Sequence, residues 1–195
     1  RKQKQEQELK AGEKLLKYNQ VNSIRTEDCN LFIPENRIYG DAVASITTKE
    51  EGFTTYSDLK HIGDELIPLN DYVLVKMSVD SVPEHLQDKL VGVRYAPSRK
   101  RSYAMGGDFK MGWLTFRTKQ FGYYYVQVDT IAPVIKLTSK LSQKTASMPD
   151  FVRFKVTDDL SGIDHYNAYL NGNWVLTKWD PKRARMEVEL PEKYI

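Results

Sequence analysis

Residues 72–79, "YVLVKMSV", place Val73, Val75, Met77 and Val79 on one face of an extended chain by the two-residue period. Further short runs of the same texture follow from about Asn30: "NLFIP", "LVGVRYA", "GWLTFRT" and "YYYVQVD". All are rich in β-branched and aromatic residues, which suit a pleated, half-buried surface. Twelve Tyr, three Trp and seven Phe in 195 residues add to that supply. Polar, turn-forming segments separate the runs, and the spacing predicts strands of a β-sandwich. Met105-Gly106-Gly107-Asp108 breaks two of the runs and predicts a hairpin turn. "VPEHLQDK" accommodates one helical turn, with Pro83 near its start.

The first nineteen residues read differently. "RKQKQEQELKAGEKLLKY" is built from helix formers. Leu9, Leu15 and Leu16 give a thin apolar stripe and Gly12 weakens the middle, so residues 1–19 predict a short helix or helical linker. "DTIAPVI", residues 129–135, marks a boundary, because Pro133 cannot donate an ordinary ladder bond. A second strand series begins there, interrupted by the polar loop "SKLSQKTASMPD". In that series Asn171-Gly172 suits a type I′ turn, and Asp180-Pro181-Lys182 a further reversal. The expected fold is all-β, with two tandem Ig-like β-sandwich domains over residues 20–132 and 133–195. The second has fewer strands than a seven-stranded sandwich needs, so it reads as truncated and the chain as a piece of something longer.

Several function classes are excluded. The net charge is only +3, with cations spread among acids, which predicts no nucleic-acid footprint. No run approaches the ~18 apolar residues of a membrane helix. The single cysteine, Cys29, cannot form an internal disulfide or a thiolate zinc site, and "DCNLFIP" predicts a small buried side chain. His61, His85 and His165 stand in no zinc-protease pattern. No Gly-rich loop precedes a helix, and no serine sits in a nucleophile elbow. The expectation is no catalytic residue, no cofactor and no enzyme activity in this segment.

Residues 156–175, "VTDDLSGIDHYNAYLNGNWV", carry the remaining chemistry. Asp158 or Ser161 can close a tight turn on nearby amides, with Gly162 in a conformation closed to other residues. The alternative is calcium on Asp158, Asp159 and Asp164, although calcium takes ~6–8 oxygens. Trp174 and Trp179 lie five apart, which places them on opposite faces of one strand. Tyr166, Tyr169, Trp174 and Trp179 are then candidates either for an exposed platform that binds sugar or peptide, or for buried packing.

Two segments, "GYYYVQVDTIAPVI" and "FKVTDDLSGIDHYNAYLNGNWVLTKWDPKRARMEVEL", resemble the C-terminal Ig-like region of bacterial cell-envelope metallopeptidases of the lysostaphin type (LytM-like). The matching positions are Asp129, Thr130, Ala132 and Pro133 at the junction, and Asp158, Ser161, Gly162 and Ile163 in the turn. Tyr166, Asn171, Gly172, Trp174, Val175 and Leu176 match the hairpin, and Asp180 and Lys182 the last turn; the shared Trp-Val-Leu implies that Trp174 is a buried structural anchor. The resemblance covers residues 121–190 well and 31–119 loosely. It implies an accessory region that positions or restrains a peptidoglycan endopeptidase, in the periplasm or at the outer membrane. The partner would be the protein's own catalytic domain or another envelope protein. The family's zinc motifs, H-x-x-x-D and H-x-H, are absent, so no catalytic residue carries over. The competing expectation is a glycan- or protein-binding β-sandwich module of an envelope or adhesin-type protein.

Overall fold

The computed structural model describes residues 9–50, 56–139 and 150–191. The chain divides into two compact units, Arg1–Thr130 and Ile131–Ile195. The first contains strands β1 (Glu13–Leu16), β2 (Asn22–Arg25), β3 (Cys29–Ile33), β4 (Ala42–Lys49), β5 (Leu59–Ile62) and β6 (Val73–Ser78). It continues with β7 (Leu90–Ala96), β8 (Arg101–Gly106), β9 (Asp108–Lys110), β10 (Trp113–Thr118) and β11 (Gly122–Val128). They form a six-stranded sheet, β1-β4-β5-β11-β7-β8, and a five-stranded sheet, β2-β3-β6-β10-β9. All the pairings are antiparallel.

The inner faces follow the two-residue period. Val73, Val75 and Met77 of β6 are fully buried, and Cys29, Leu31 and Ile33 of β3 lie in the same core. From the facing sheet come Ile62, Leu90, Tyr124 and Val126. Gly92 also faces inward: a Cβ there would lie 2.4 Å from the Phe116 ring, so the close approach requires a residue without a side chain.

Lys60 is buried on the same inner face, beside Ile62. Its ammonium donates to the Asp28 carboxylate, to Thr48 Oγ1 at 2.7 Å and to Asp58 Oδ2 at 3.3 Å. Three acceptors match its three N–H donors, which is what a buried ammonium requires. Lys60 belongs to the six-stranded sheet, and Asp28 leads into β3 of the other, so the contact ties the two sheets. Burial acts to raise the Asp28 carboxyl, but hydrogen bonds from Lys60 and Thr26 and the ammonium charge outweigh it and hold the group below its ordinary value.

The structure corrects two local expectations. Of the helix or linker expected over residues 1–19, residues 1–8 lie outside the described residues. Beyond them Glu13–Leu16 is a strand paired with β4. Gly12 at φ +84° stops a helix at that point, and the complete burial of Leu16 rewards the extended chain instead. The expected hairpin at residues 105–108 is a change of sheet: β8 ends one sheet and β9 begins in the other. The hairpin turn is the next one, Met111-Gly112 at φ +52° and +77°, between β9 and β10. A 3-10 helix occupies Glu84–Lys89, where a helical turn was expected.

The second unit contains β12 (Val134–Leu137), β13 (Phe151–Thr157), β14 (Ala168–Leu170), β15 (Asn173–Val175), β16 (Thr177–Asp180) and β17 (Arg185–Glu189). Four form a sheet, β12-β13-β17-β16, while β14 and β15 pair by themselves. The polar loop read from the sequence spans residues 139–150, of which 140–149 lie outside the described residues. Register places Ile135, Val156, Phe154, Met186, Val188 and Trp179 on one face of the sheet. Lys136, Lys155, Arg153, Glu187 and Arg185 take the other. Val156, Met186 and Val188 are buried, whereas Ile135 and Leu137 on the edge strand remain exposed.

The Lys60–Asp28 contact gives a pH signature. Because the folded Asp28 carboxyl sits below its unfolded value, its stabilisation is complete above about pH 4 and is lost as pH falls through the folded value. Asp28→Asn should cost about 1–3 kcal/mol at neutral pH, and its melting deficit against the wild type should narrow below about pH 4. A deficit that is absent at neutral pH, or independent of pH, would contradict this role. The measurement is a set of paired melting curves between neutral and acid pH.

Candidate functional site

The Asp158–Gly162 turn forms around one carboxylate. Asp158 Oδ1 accepts the backbone N–H of Leu160 at 2.9 Å and that of Gly162 at 2.8 Å, with Gly162 at φ +81°. Asp159 is exposed, and Asp164 is fully exposed and lies 3.2 Å from His165 Nδ1. Among the described residues no group of three His, Cys, Asp or Glu side chains converges closely enough to hold a metal ion.

Next to this turn, Asn171 and Gly172 join β14 to β15 at φ +51° and +81°, the positive pair that a type I′ turn requires. Tyr169 and Trp174 are direct cross-strand partners, so both rings leave the same face of the ribbon. Tyr169 is 65% and Trp174 58% exposed, and Tyr166 just before them is 38% exposed. Trp174 Nε1 donates to Asn167 Oδ1 at 3.4 Å. The expected buried anchor is therefore an exposed ring, and the buried residue of the hairpin strands is its neighbour Val175. The cause is a break at Leu176: β15 ends at Val175 and β16 starts at Thr177 in a different sheet. Trp174 and Trp179 thus share no strand. Trp179 is partly buried opposite Met186, on a strand of the four-stranded sheet and not of the β14-β15 ribbon.

A second site lies in the first unit. Arg94 of β7, Tyr103, Ala104 and Met105 of β8, Arg117 and Thr118 of β10, and Tyr72 with the turn residues Lys119 and Gln120 surround a cleft of about 430 Å³. Buried Tyr124 braces two of the lining residues, Thr118 and Gln120. Its hydroxyl donates to the Gln120 carbonyl at 2.6 Å and meets Thr118 Oγ1 at 2.8 Å. A tyrosine near the start of a strand, bonding backbone four residues upstream, is the corner found in Greek-key sandwiches. Burial pushes the Tyr124 phenol up to about 12, so it stays neutral.

Charge on the cleft walls is of one sign. The Arg94 guanidinium lies 4.8 Å from the centre of the Tyr103 ring and that of Arg101 5.3 Å, while the Lys119 ammonium lies 4.4 Å from the centre of the Tyr72 ring. Hydrogen bonding to Arg99, and the charges of Arg101, Arg99 and Arg94, hold the Tyr103 phenol below its ordinary value. The sequence reading missed this site because it weighed the whole chain's charge. The local signal was "RYAPSRKRSY", where four of ten residues are Arg or Lys, and "FRTK" at residues 116–119.

Elsewhere the histidines do not converge. His61 stacks on Tyr123 with centroids 4.4 Å apart, and burial, with the Lys49 charge, lowers its pKa. His85 and His165 are exposed. Cys29 is completely buried, and burial pushes its thiol up to about 12, outside the range of a reactive thiolate.

Fold and sites together define an all-β protein of antiparallel sheets whose clustered exposed side chains are aromatic rings and cations. The chain belongs to the Zu5-like domain family, whose model matches residues 13–129. The match begins at the first residue of β1 and ends one residue after β11, which is the extent of the two-sheet unit. No curated protein matches the chain. The stretch that resembles the LytM-like region, residues 121–190, overlaps the family match only at its start.

Tyr124→Phe removes one donor and leaves the Gln120 carbonyl and Thr118 hydroxyl short of a partner. It should cost about 1–3 kcal/mol. Unchanged melting in denaturant titrations would show that the Thr118–Gln120 contacts hold the turn without the phenol.

Proposed function

We propose that this chain is a non-catalytic accessory region of a larger cell-envelope protein, and that its second unit holds glycan through Tyr169 and Trp174. The observation supporting the reading is that pair: two aromatic rings directly opposite each other, each more than half exposed on one face of a hairpin. Large exposed aromatic surface contributes little to folding, and contiguous apolar surface of this kind marks interaction sites. A sugar ring presents a C–H face that packs on an aromatic face, and the Tyr169 phenol O–H adds a polar contact at the edge. The pairing needs no charged residue.

The envelope setting rests on the resemblance of residues 121–190 to the LytM-like Ig region. On that reading peptidoglycan is the natural glycan, the periplasm or outer membrane the location, and a catalytic domain or another envelope protein the partner. The segment is non-catalytic because its sequence holds neither the family's zinc motifs nor a nucleophile elbow. Among the described residues, no helix is long and apolar enough to cross a membrane.

The test is co-sedimentation of the chain with purified peptidoglycan. Wild type should sediment with the polymer and release no soluble fragments, with or without zinc. Trp174→Ala should lose most of the binding and melt within ~0.5 kcal/mol of wild type, as exposed substitutions do. Undiminished binding would contradict the reading. So would a loss of about 3–5 kcal/mol, the cost of truncating a buried tryptophan. Zinc-dependent release of fragments would overturn the non-catalytic assignment.

A further inference from the structure

We propose that the cleft lined by Arg94, Arg117, Lys119, Tyr72 and Tyr103 binds the phosphate group of a small phosphomonoester. The site belongs to the first unit and is independent of the glycan reading of the second. Its volume, about 430 Å³, exceeds what a bare oxyanion needs and falls in the ~300–1,000 Å³ range of small-molecule pockets. A phosphate together with the group that carries it would fill it.

The charge on its walls selects the ligand's sign. Three cationic residues line the cleft and no acidic residue does. Asp71 pairs with Lys119 at 3.2 Å, but it is also held by Arg37 at 3.6 Å and by the backbone amide of Tyr72. Among the described residues, Arg94, Arg99, Arg101 and Arg117 form no ion pair with a carboxylate. Glu65 lines an adjoining hollow that shares Arg94 and Gln120, but not the cleft itself. The lowered Tyr103 phenol reports the same positive field at the cleft wall.

Geometry selects phosphate. Arg94 and Arg101 lie against Tyr103, and such stacking leaves the N–H edges of a guanidinium free. A guanidinium fork matches phosphate oxygens in pairs, and Lys119 adds a point charge. A phosphomonoester carries about −1.5 to −2 at neutral pH, closer to this cationic count than a single carboxylate. The cations gather around one hollow, whereas a polyanion or a membrane surface needs an extended positive track.

The test uses the whole chain and phenyl phosphate at physiological ionic strength, read by calorimetric titration and by the shift in melting temperature. Phenyl phosphate should bind saturably and raise the melting temperature, and inorganic phosphate should compete for the same site more weakly. Arg94→Gln and Arg117→Gln should each weaken binding about tenfold or more, the loss of one charge-assisted contact. Arg183→Gln, in the second unit, should bind like wild type. Arg117 is exposed, so its variant decides the matter if Arg94→Gln fails to fold. The proposal falls if phenyl phosphate shows no saturable binding at millimolar concentration, or if Arg117→Gln binds it as wild type does. It also falls if binding is confined to phosphatidic acid vesicles or to a single-stranded oligonucleotide.

Discussion

The two sheets of the first unit meet where the Phe116 ring lies over the backbone of Gly92. Gly92 is on β7 of the six-stranded sheet, Phe116 on β10 of the five-stranded one. Any side chain at position 92 would occupy the ring's space, so the sheet separation is set by a hydrogen atom on one side and an aromatic ring on the other. Phe116 also packs on Tyr124, with centroids 5.6 Å apart and the planes tilted. Interiors close-pack, and a shift of even one methylene is felt by neighbours. One contact therefore sets both the depth of the core and the positions of two strands that continue past it.

The consequence reaches the surface. Two residues beyond Gly92 on β7 is Arg94, and one beyond Phe116 on β10 is Arg117, with Thr118 following. Arg94, Arg117 and Thr118 line the same cleft, and the Tyr124 hydroxyl ties the β10–β11 turn beneath it. The cationic walls are thus positioned by the core rather than by flexible loops, which is the arrangement a preorganised site requires. The second unit shows the opposite economy. Its sheet buries Val156, Met186 and Val188, and its hairpin leaves Tyr169 and Trp174 to solvent. Those rings take no part in a core, so they are available for contact without loss of stability.

What the sequence disclosed divides along physical lines. The alternation in "YVLVKMSV" became β6 with its buried face, and Asn171-Gly172 became a turn with both φ values positive, because both signals are local. The all-β class follows from many such signals together. The strand at Glu13–Leu16 was hidden because its residues favour helix in isolation, and only the burial of Leu16 against distant partners makes the extended form win. The sheet change at Gly106-Gly107 was hidden because a hairpin and a corner draw on the same glycines. Trp174 and Trp179 were counted along one strand because the break at Leu176 leaves no mark in a run of strand formers, and the anchor role of Trp174 came from the resemblance, which carries no information on burial here. The cleft was hidden for another reason: it joins residues 72, 94, 103 and 117–120, which only the pairing of β7 with β8 and β11 in one sheet, and of β6 with β10 in the facing one, brings together.

The dependence of the first unit on the Phe116–Gly92 contact is tested most directly by a double-mutant cycle. Gly92→Ala, Phe116→Leu and the double variant would be compared with wild type in denaturant titrations. The account predicts that Gly92→Ala costs about 1–3 kcal/mol by overpacking. It also predicts that shortening Phe116 relieves part of that cost, giving a coupling energy of about 1 kcal/mol or more. Strictly additive losses, or a Gly92→Ala variant as stable as wild type, would contradict it.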